Sequence, residues 1–107
     1  MMKKGNIVLI KFPFTDLIGS KLRPALILLE TRFDYVVCFI TSNLKIEEPF
    51  DILIKPTSSN GLKKESIVKT NKIMTIDKEI VEGKLGTLTN AEIKSLNKNI
   101  TTLYSLN

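Results

Sequence analysis

Histidine is absent from this 107-residue chain, and cysteine occurs once, as Cys38. Their scarcity removes the ligand sets of zinc and iron–sulfur sites and the commonest side chain for proton transfer near neutral pH. A lone cysteine inside an apolar, strand-like segment gives no disulfide framework and suits the cytosol. It reads as a small buried hydrophobe, because a nucleophilic role would need a neighbouring base and an accessible thiolate. The five glycines are scattered singly, so no glycine-rich loop is present to cradle a nucleotide, and no cofactor is expected. No apolar run approaches the roughly 20 residues that cross a bilayer. The opening Met1-Met2-Lys3-Lys4-Gly5 runs into a short strand-like segment with Lys11 and Pro13, which makes a poor signal peptide. Glu47, Glu48 and Asp51 are the densest acidic cluster. They read as a solvated strand start, and no metal site is expected.

What the chain does have is enough apolar content, 43%, to build one compact domain over residues 1–107. Sixteen basic residues against eleven acidic ones give a net charge of +5. The excess is concentrated in residues 54–107, which hold nine lysines against five acids, while residues 1–53 hold seven basic and six acidic residues. Such a balance permits an anionic partner without requiring one. No internal repeat, low-complexity tract or linker divides the chain.

Short β-prone segments dominate. Ile7-Val8-Leu9-Ile10 predicts a first strand, ended by the turn-prone Phe12-Pro13-Phe14-Thr15-Asp16. A polar loop centred on Gly19-Ser20-Lys21 leads to Arg23-Pro24, where the proline holds the arginine backbone extended. Ala25 to Leu29 and Tyr35 to Ile40 predict two further strands, the latter ending at Thr41-Ser42-Asn43. Phe50, Ile52 and Ile54 alternate with polar or outward positions and predict a fourth, stopped by Pro56. Asn60-Gly61 marks a tight turn. Ser66 to Thr70 and Ile73 to Ile76 read as two more short strands, and residues 80–86 as a short element with a bend. One helix is expected at the end, capped by Thr89 with Glu92 as its capping-box partner. Ile93, Leu96, Ile100 and Leu103 form its apolar stripe, and Asn99 and Thr101-Thr102 weaken its distal part. The expected architecture is a mainly β chain with a C-terminal helix, either a small barrel or a strongly curved sheet.

The chemistry-bearing residues gather around Arg23 and Thr41. Arginine presents a planar fork of donors that matches two phosphate oxygens, and Thr41 on an adjacent strand end can position the same phosphate. Ser42 and Ser20 are further hydroxyls, and Lys72 is a further cation. Such a set can cleave RNA without a metal if the RNA's own 2′-hydroxyl attacks the adjacent phosphorus, with the cation stabilising the added negative charge. On the residues alone, an ordinary polar hairpin fits Arg23 equally well and Thr41-Ser42 better. Arg23 is then a solvated or ion-paired charge, and Thr41-Ser42 end a strand with local hydrogen bonds.

Four ordered fragments carry a resemblance: Gly5-Asn6-Ile7-Val8; Gly19-Ser20 with Arg23-Pro24-Ala25-Leu26; Phe39-Ile40-Thr41-Ser42; and Ser66-Ile67-Val68 running into Lys72-Ile73-Met74-Thr75-Ile76-Asp77-Lys78. With the segment from Gly83 to Leu88 and the capped helix, they span nearly the whole chain. The chain resembles the MazF/PemK family of toxin endoribonucleases from bacterial toxin–antitoxin modules. The resemblance implies a small SH3-like barrel of the MazF/PemK/CcdB type, forming a homodimer in the cytoplasm. It implies metal-independent cleavage of single-stranded RNA at short recognition sequences, leaving a 2′,3′-cyclic phosphate and a 5′-hydroxyl. Arg23 matches the family's catalytic arginine and Thr41 its catalytic threonine. Ser20 and Lys21 would belong to the loop that covers the RNA, with Ser42 and Lys72 also in contact with it. A cognate antitoxin with an acidic tail would block the same groove. The loop before Arg23 is shorter than in many relatives and lacks their Glu-Gln pair, leaving Asp16 as the candidate general base nearest in sequence. Lys72 and Met74 stand where relatives often carry glutamine and arginine. Two alternatives remain: a gyrase-binding toxin like CcdB, acting through the C-terminal helix, or a catalytically weak protein that binds RNA or antitoxin.

Overall fold

A computed structural model of the chain describes residues 2–12 and 21–106, excluding the side chain of Phe12. Asp16 and Ser20, with the turn at 13–15 and Gly19, therefore lie outside the described residues. The described chain forms strands β1 (Asn6–Phe12), β2 (Lys21–Glu30), β3 (Asp34–Thr41), β4 (Ile52–Ile54), β5 (Ser66–Asp77) and β6 (Val81–Thr87), then helix α1 (Asn90–Leu103). The strands make one antiparallel sheet in the order β4-β5-β3-β2-β1-β6. Its pairing does not close into a full barrel. Instead, the turn after β4 bridges toward β6: the Thr87 N–H donates to the Ser59 carbonyl at 2.9 Å.

Both faces of the sheet carry a core, which explains why the central strands read as continuous apolar runs rather than alternations. On one face, Ile7, Leu26, Cys38, Ile40, Ile54 and Val68 pack against Leu96 of α1, with Ile93 and Ile100 beside it. On the other, Val8, Ile10, Ala25, Ile27, Val37 and Ile76 cluster, with Phe39 and Met74 packed against them. The capping box forms as the sequence predicts. Glu92 N–H donates to Thr89 Oγ1 at 3.1 Å, and Thr89 N–H donates to Glu92 Oε1 at 2.8 Å. Thr101 and Thr102 do not shorten the helix, because it leans on the rest of the fold at its end. The Asn99 side chain donates to the Phe50 carbonyl at 3.0 Å, and the Tyr104 hydroxyl to the Thr70 carbonyl at 2.7 Å.

Three expectations change. Phe50 is not in β4; it turns the chain with φ 73°, and its carbonyl is held by Asn99 and by the Thr70 hydroxyl. The two strands expected at 66–70 and 73–76 are one strand, β5, carrying a bulge. Phe39 pairs with Lys69 but the next residue, Cys38, pairs with Ile73, so Thr70, Asn71 and Lys72 are pushed out of the ladder. The stretch expected as a short element with a bend at 80–86 is the strand β6 from Val81 onward, preceded by a helical turn at Lys78–Ile80 and paired with β1 through two irregularities.

The turn at 57–61 matches the expectation and is unusually well tied. The buried Asn60 side chain accepts from the N–H groups of Thr57 and Leu62, both at 3.0 Å, and donates to the Lys55 carbonyl at 2.9 Å. Gly61 has φ +69°, and a Cβ there would come within 2.3 Å of the Leu85 carbonyl, so only glycine fits against β6.

Candidate functional site

The site follows from one missing hydrogen. The Ile27 carbonyl accepts from Gly5 on the β1 side. Backbone groups alternate sides along an antiparallel strand, so those of Leu26 and Pro24 face β3. Proline has no N–H to give. The β2–β3 ladder accordingly runs from Glu30 only as far as Ala25, opposite Phe39. Its register, extended two residues, would set Arg23 opposite Thr41. No ladder pair joins them there; Arg23, Pro24, Ile40 and Thr41 instead line a shared mouth.

Two grooves meet at that mouth, both lined by Arg23, Pro24, Ile40 and Thr41. The smaller, of about 240 Å³, adds Phe39, Ile46, Lys69 and Lys72. The larger, of about 430 Å³, passes Ser42 and reaches Leu62, Lys63, Lys64 and Ser66. Arg23 is exposed, and no described acidic side chain pairs with it. The Thr41 hydroxyl oxygen accepts from the Asn43 N–H at 3.1 Å. That bond orients the side chain and leaves its O–H proton as a donor toward the mouth. The structure thus brings together Arg23, Thr41, Ser42 and Lys72. Lys21 does not line either groove; it opens β2, exposed, paired with Phe12 of β1. The β5 bulge is what delivers Lys72.

Sequence reasoning missed Lys69. Its side chain is 1% exposed and its ammonium has three acceptors: Asp51 Oδ2 at 2.8 Å, Glu48 Oε1 at 2.8 Å and the Ile46 carbonyl at 3.0 Å. An ammonium has three donors, so each is satisfied. Burial works against its charge, but the hydrogen bonds to Asp51 and Glu48 prevail and raise its pKa. The same bond to Lys69, with one from Asn71, lowers that of Glu48. Glu48 and Asp51 are therefore not a solvated strand start. They clamp the 44–51 segment, and with it Ile46, onto the sheet as one wall of the smaller groove. Among the described residues no cluster of side chains has the make-up of a metal site. Burial pushes the Cys38 thiol up to about 12, which keeps it protonated and inert. No helix in the described residues is long and apolar enough to cross a membrane.

Residues 3–104 match the family described as the PemK-like, MazF-like toxin of type II toxin-antitoxin system. The chain belongs to this family. Solved structures of similar fold agree with the membership. An endoribonuclease in complex with its cognate antitoxin, from a mycobacterial species, superposes with a TM-score of 0.76 at 20% identity, covering 100% of this chain and 98% of that one. A MazE–MazF complex from Deinococcus radiodurans gives 0.80 at 18% identity, over 99% and 97%. A Mycobacterium tuberculosis MazF toxin gives 0.74 at 20% identity, over 94% and 98%. At such identities the likeness is one of fold. No curated protein matches the sequence significantly. The PemK-like toxin described here thus carries the family architecture, with Arg23 and Thr41 at its open end.

Proposed function

We propose that this PemK-like toxin is a metal-independent endoribonuclease that cleaves single-stranded RNA, acting in the cytoplasm as the growth-inhibiting half of a toxin–antitoxin pair. The observation that supports the reading is that Arg23 and Thr41 line the same two grooves beyond the end of the β2–β3 ladder.

In the proposed reaction the ribose 2′-oxygen attacks the adjacent phosphorus. A P–O bond forms to the 2′-oxygen and the P–O bond to the 5′-oxygen breaks, giving a 2′,3′-cyclic phosphate and a 5′-hydroxyl. The attacking hydroxyl gives up a proton and the leaving oxygen takes one. Arg23 holds two non-bridging oxygens and stabilises the charge that accumulates on them; preorganised donors of this type contribute about 3 kcal/mol each. Thr41 donates to the same phosphate and sets its orientation. Lys72 and Ser42 flank it, one in each groove, with Ser20 assigned to the approaching loop and Lys21, at the start of β2, to the RNA it delivers. Asp16 is proposed as the base.

The family reading also brings a homodimer and a cognate antitoxin whose acidic segment occupies the grooves. Relatives of the same fold have been solved with their antitoxins, which supports that partner.

The test is incubation of purified protein with single-stranded RNA in excess chelator, with the fragment ends mapped. Cleavage with cyclic-phosphate ends is expected. Arg23→Lys keeps the charge but loses the fork, so kcat should fall about a hundredfold, corresponding to roughly 3 kcal/mol. Intact RNA at high protein concentration, or wild-type rates from both Arg23→Ala and Thr41→Ala, would overturn the proposal.

A further inference from the structure

The larger groove has a feature that the cleavage chemistry does not use. Lys63 and Lys64 line it together with Ser42, whereas Lys72 lines only the smaller groove. Both are exposed, and neither forms an ion pair among the described residues. Glu65, next in sequence, lines neither groove. Their backbone is held firmly for a loop. Leu62 is buried just before them and tied to Asn60, Gly61 sits against β6, and the Ser66 hydroxyl donates to the Lys64 carbonyl at 2.9 Å. Two cations fixed in this way at the rim of a 430 Å³ groove form a prepared surface for a chain of anions.

The geometry points to the larger groove as a second arm of the RNA-binding site, in which Lys63 and Lys64 hold backbone phosphates on one side of the scissile bond while Lys72 serves the other. This rests on the proposed endoribonuclease activity. It adds that the enzyme engages several nucleotides beyond the cleaved step, on the side of the mouth facing the turn at 57–61. The lysines grip phosphate and not base, so they add affinity without sequence preference.

The experiment compares Lys63→Gln/Lys64→Gln with wild type on a long single-stranded RNA and on a series shortened stepwise from each side of the cleavage site. Each phosphate neutralised on single-stranded nucleic acid contributes roughly 0.7 to the slope of log affinity against log salt. Loss of two contacts should therefore flatten the salt dependence of log KM by about 1.4, equivalent to a roughly 25-fold higher KM at 0.1 M salt if the attraction vanishes near 1 M. The effect should be lost when the RNA is shortened on one side only. Lys94→Gln/Lys98→Gln on α1 changes the net charge equally and is expected to leave the slope as it was.

A double variant with wild-type KM and slope, on RNA that the wild type cleaves, overturns the arm alone. So does a KM effect that survives shortening from both sides. Weakened binding of the acidic antitoxin with unaltered RNA kinetics assigns the lysines to the peptide and overturns it as well. Failure of the wild type to cleave RNA overturns both readings.

Discussion

Replacing Lys69 by methionine isolates the energetic role of the buried clamp. The thioether chain fills much of the same space but removes the charge and all three hydrogen bonds. Asp51, 1% exposed, is then left ionised in the interior with the Glu48 N–H, at 2.7 Å, as its remaining donor. Breaking a buried pair by removing one partner costs about 3–5 kcal/mol; the surviving backbone donor places this case near the lower end, at about 3 kcal/mol. Glu48 is 53% exposed, so water replaces its lost partner and its share is the minor one. A loss of about 3 kcal/mol is a large fraction of the ~5–15 kcal/mol that holds a domain folded, and corresponds to a Tm lower by about 12–24 °C. Urea and thermal unfolding of Lys69→Met, Glu48→Gln and the double variant Lys69→Met/Asp51→Leu measure it. The double variant should recover most of the loss, since no orphaned charge remains. The reasoning is refuted if Glu48→Gln destabilises as much as Lys69→Met, or if removing Asp51 as well gives no recovery.

Three further outcomes are expected. Glu48, held below its ordinary value of 4.5, contributes stability that is complete above that value and lost as pH falls through the folded-state pKa. Lys69, held above 10.5, contributes stability that is complete below that value and lost as pH rises through its own; urea midpoints should therefore plateau between these limits, and a monotonic rise or fall across them would contradict the clamp. Cys38, pushed up to about 12, should resist a thiol reagent at pH 8 in the native protein and react fully once unfolded; rapid native labelling would show that the thiol is reached without unfolding. Pro24→Ala restores an N–H facing β3, so the ladder should gain a pair and the mouth should narrow. Cleavage should fall at least tenfold while stability changes by less than about 1 kcal/mol, the added hydrogen bond and the lost proline rigidity opposing each other; unaltered cleavage would show that the proline does not keep the mouth open.

The parts legible in the sequence were those set by local rules. Thr89 and Glu92 announce the helix start whatever lies around them, and Asn60-Gly61 announces its turn. The end of β3 at Thr41 was readable from the change from apolar to polar residues, whereas β2 begins at Lys21, ahead of Pro24, and not at Ala25 as the sequence predicts, because β1 pairs with it on past the proline. Lys69 was not readable. In Ser66-Ile67-Val68-Lys69-Thr70 a lysine looks like the outward position of a half-buried strand, and only the packing of the 44–51 segment covers that side. Glu48 and Asp51 were misread for the same reason, since their partner is 18 to 21 residues away. The break expected between 70 and 73 was real as a local irregularity. It proved to be a bulge because β3 continues past it and pairs on both sides. Phe50 fitted the alternation of β4, yet its carbonyl is claimed by Thr70 and Asn99, and those contacts turn the chain instead.

The proline stop also bears on the order in which the molecule assembles. β2 and β3 form a hairpin closed by the turn at 31–34, where Thr31 N–H donates to the Asp34 carbonyl at 2.9 Å. The pairing that starts at this turn ends at Ala25 and Phe39. Arg23 and Thr41, just past the end of the ladder, thus belong to one hairpin of 19 consecutive residues, 23–41. It does not wait for the distant joining of β1 to β6 or for the docking of α1. Folding of the remaining chain supplies walls and charges around a pair of residues that the hairpin already contains.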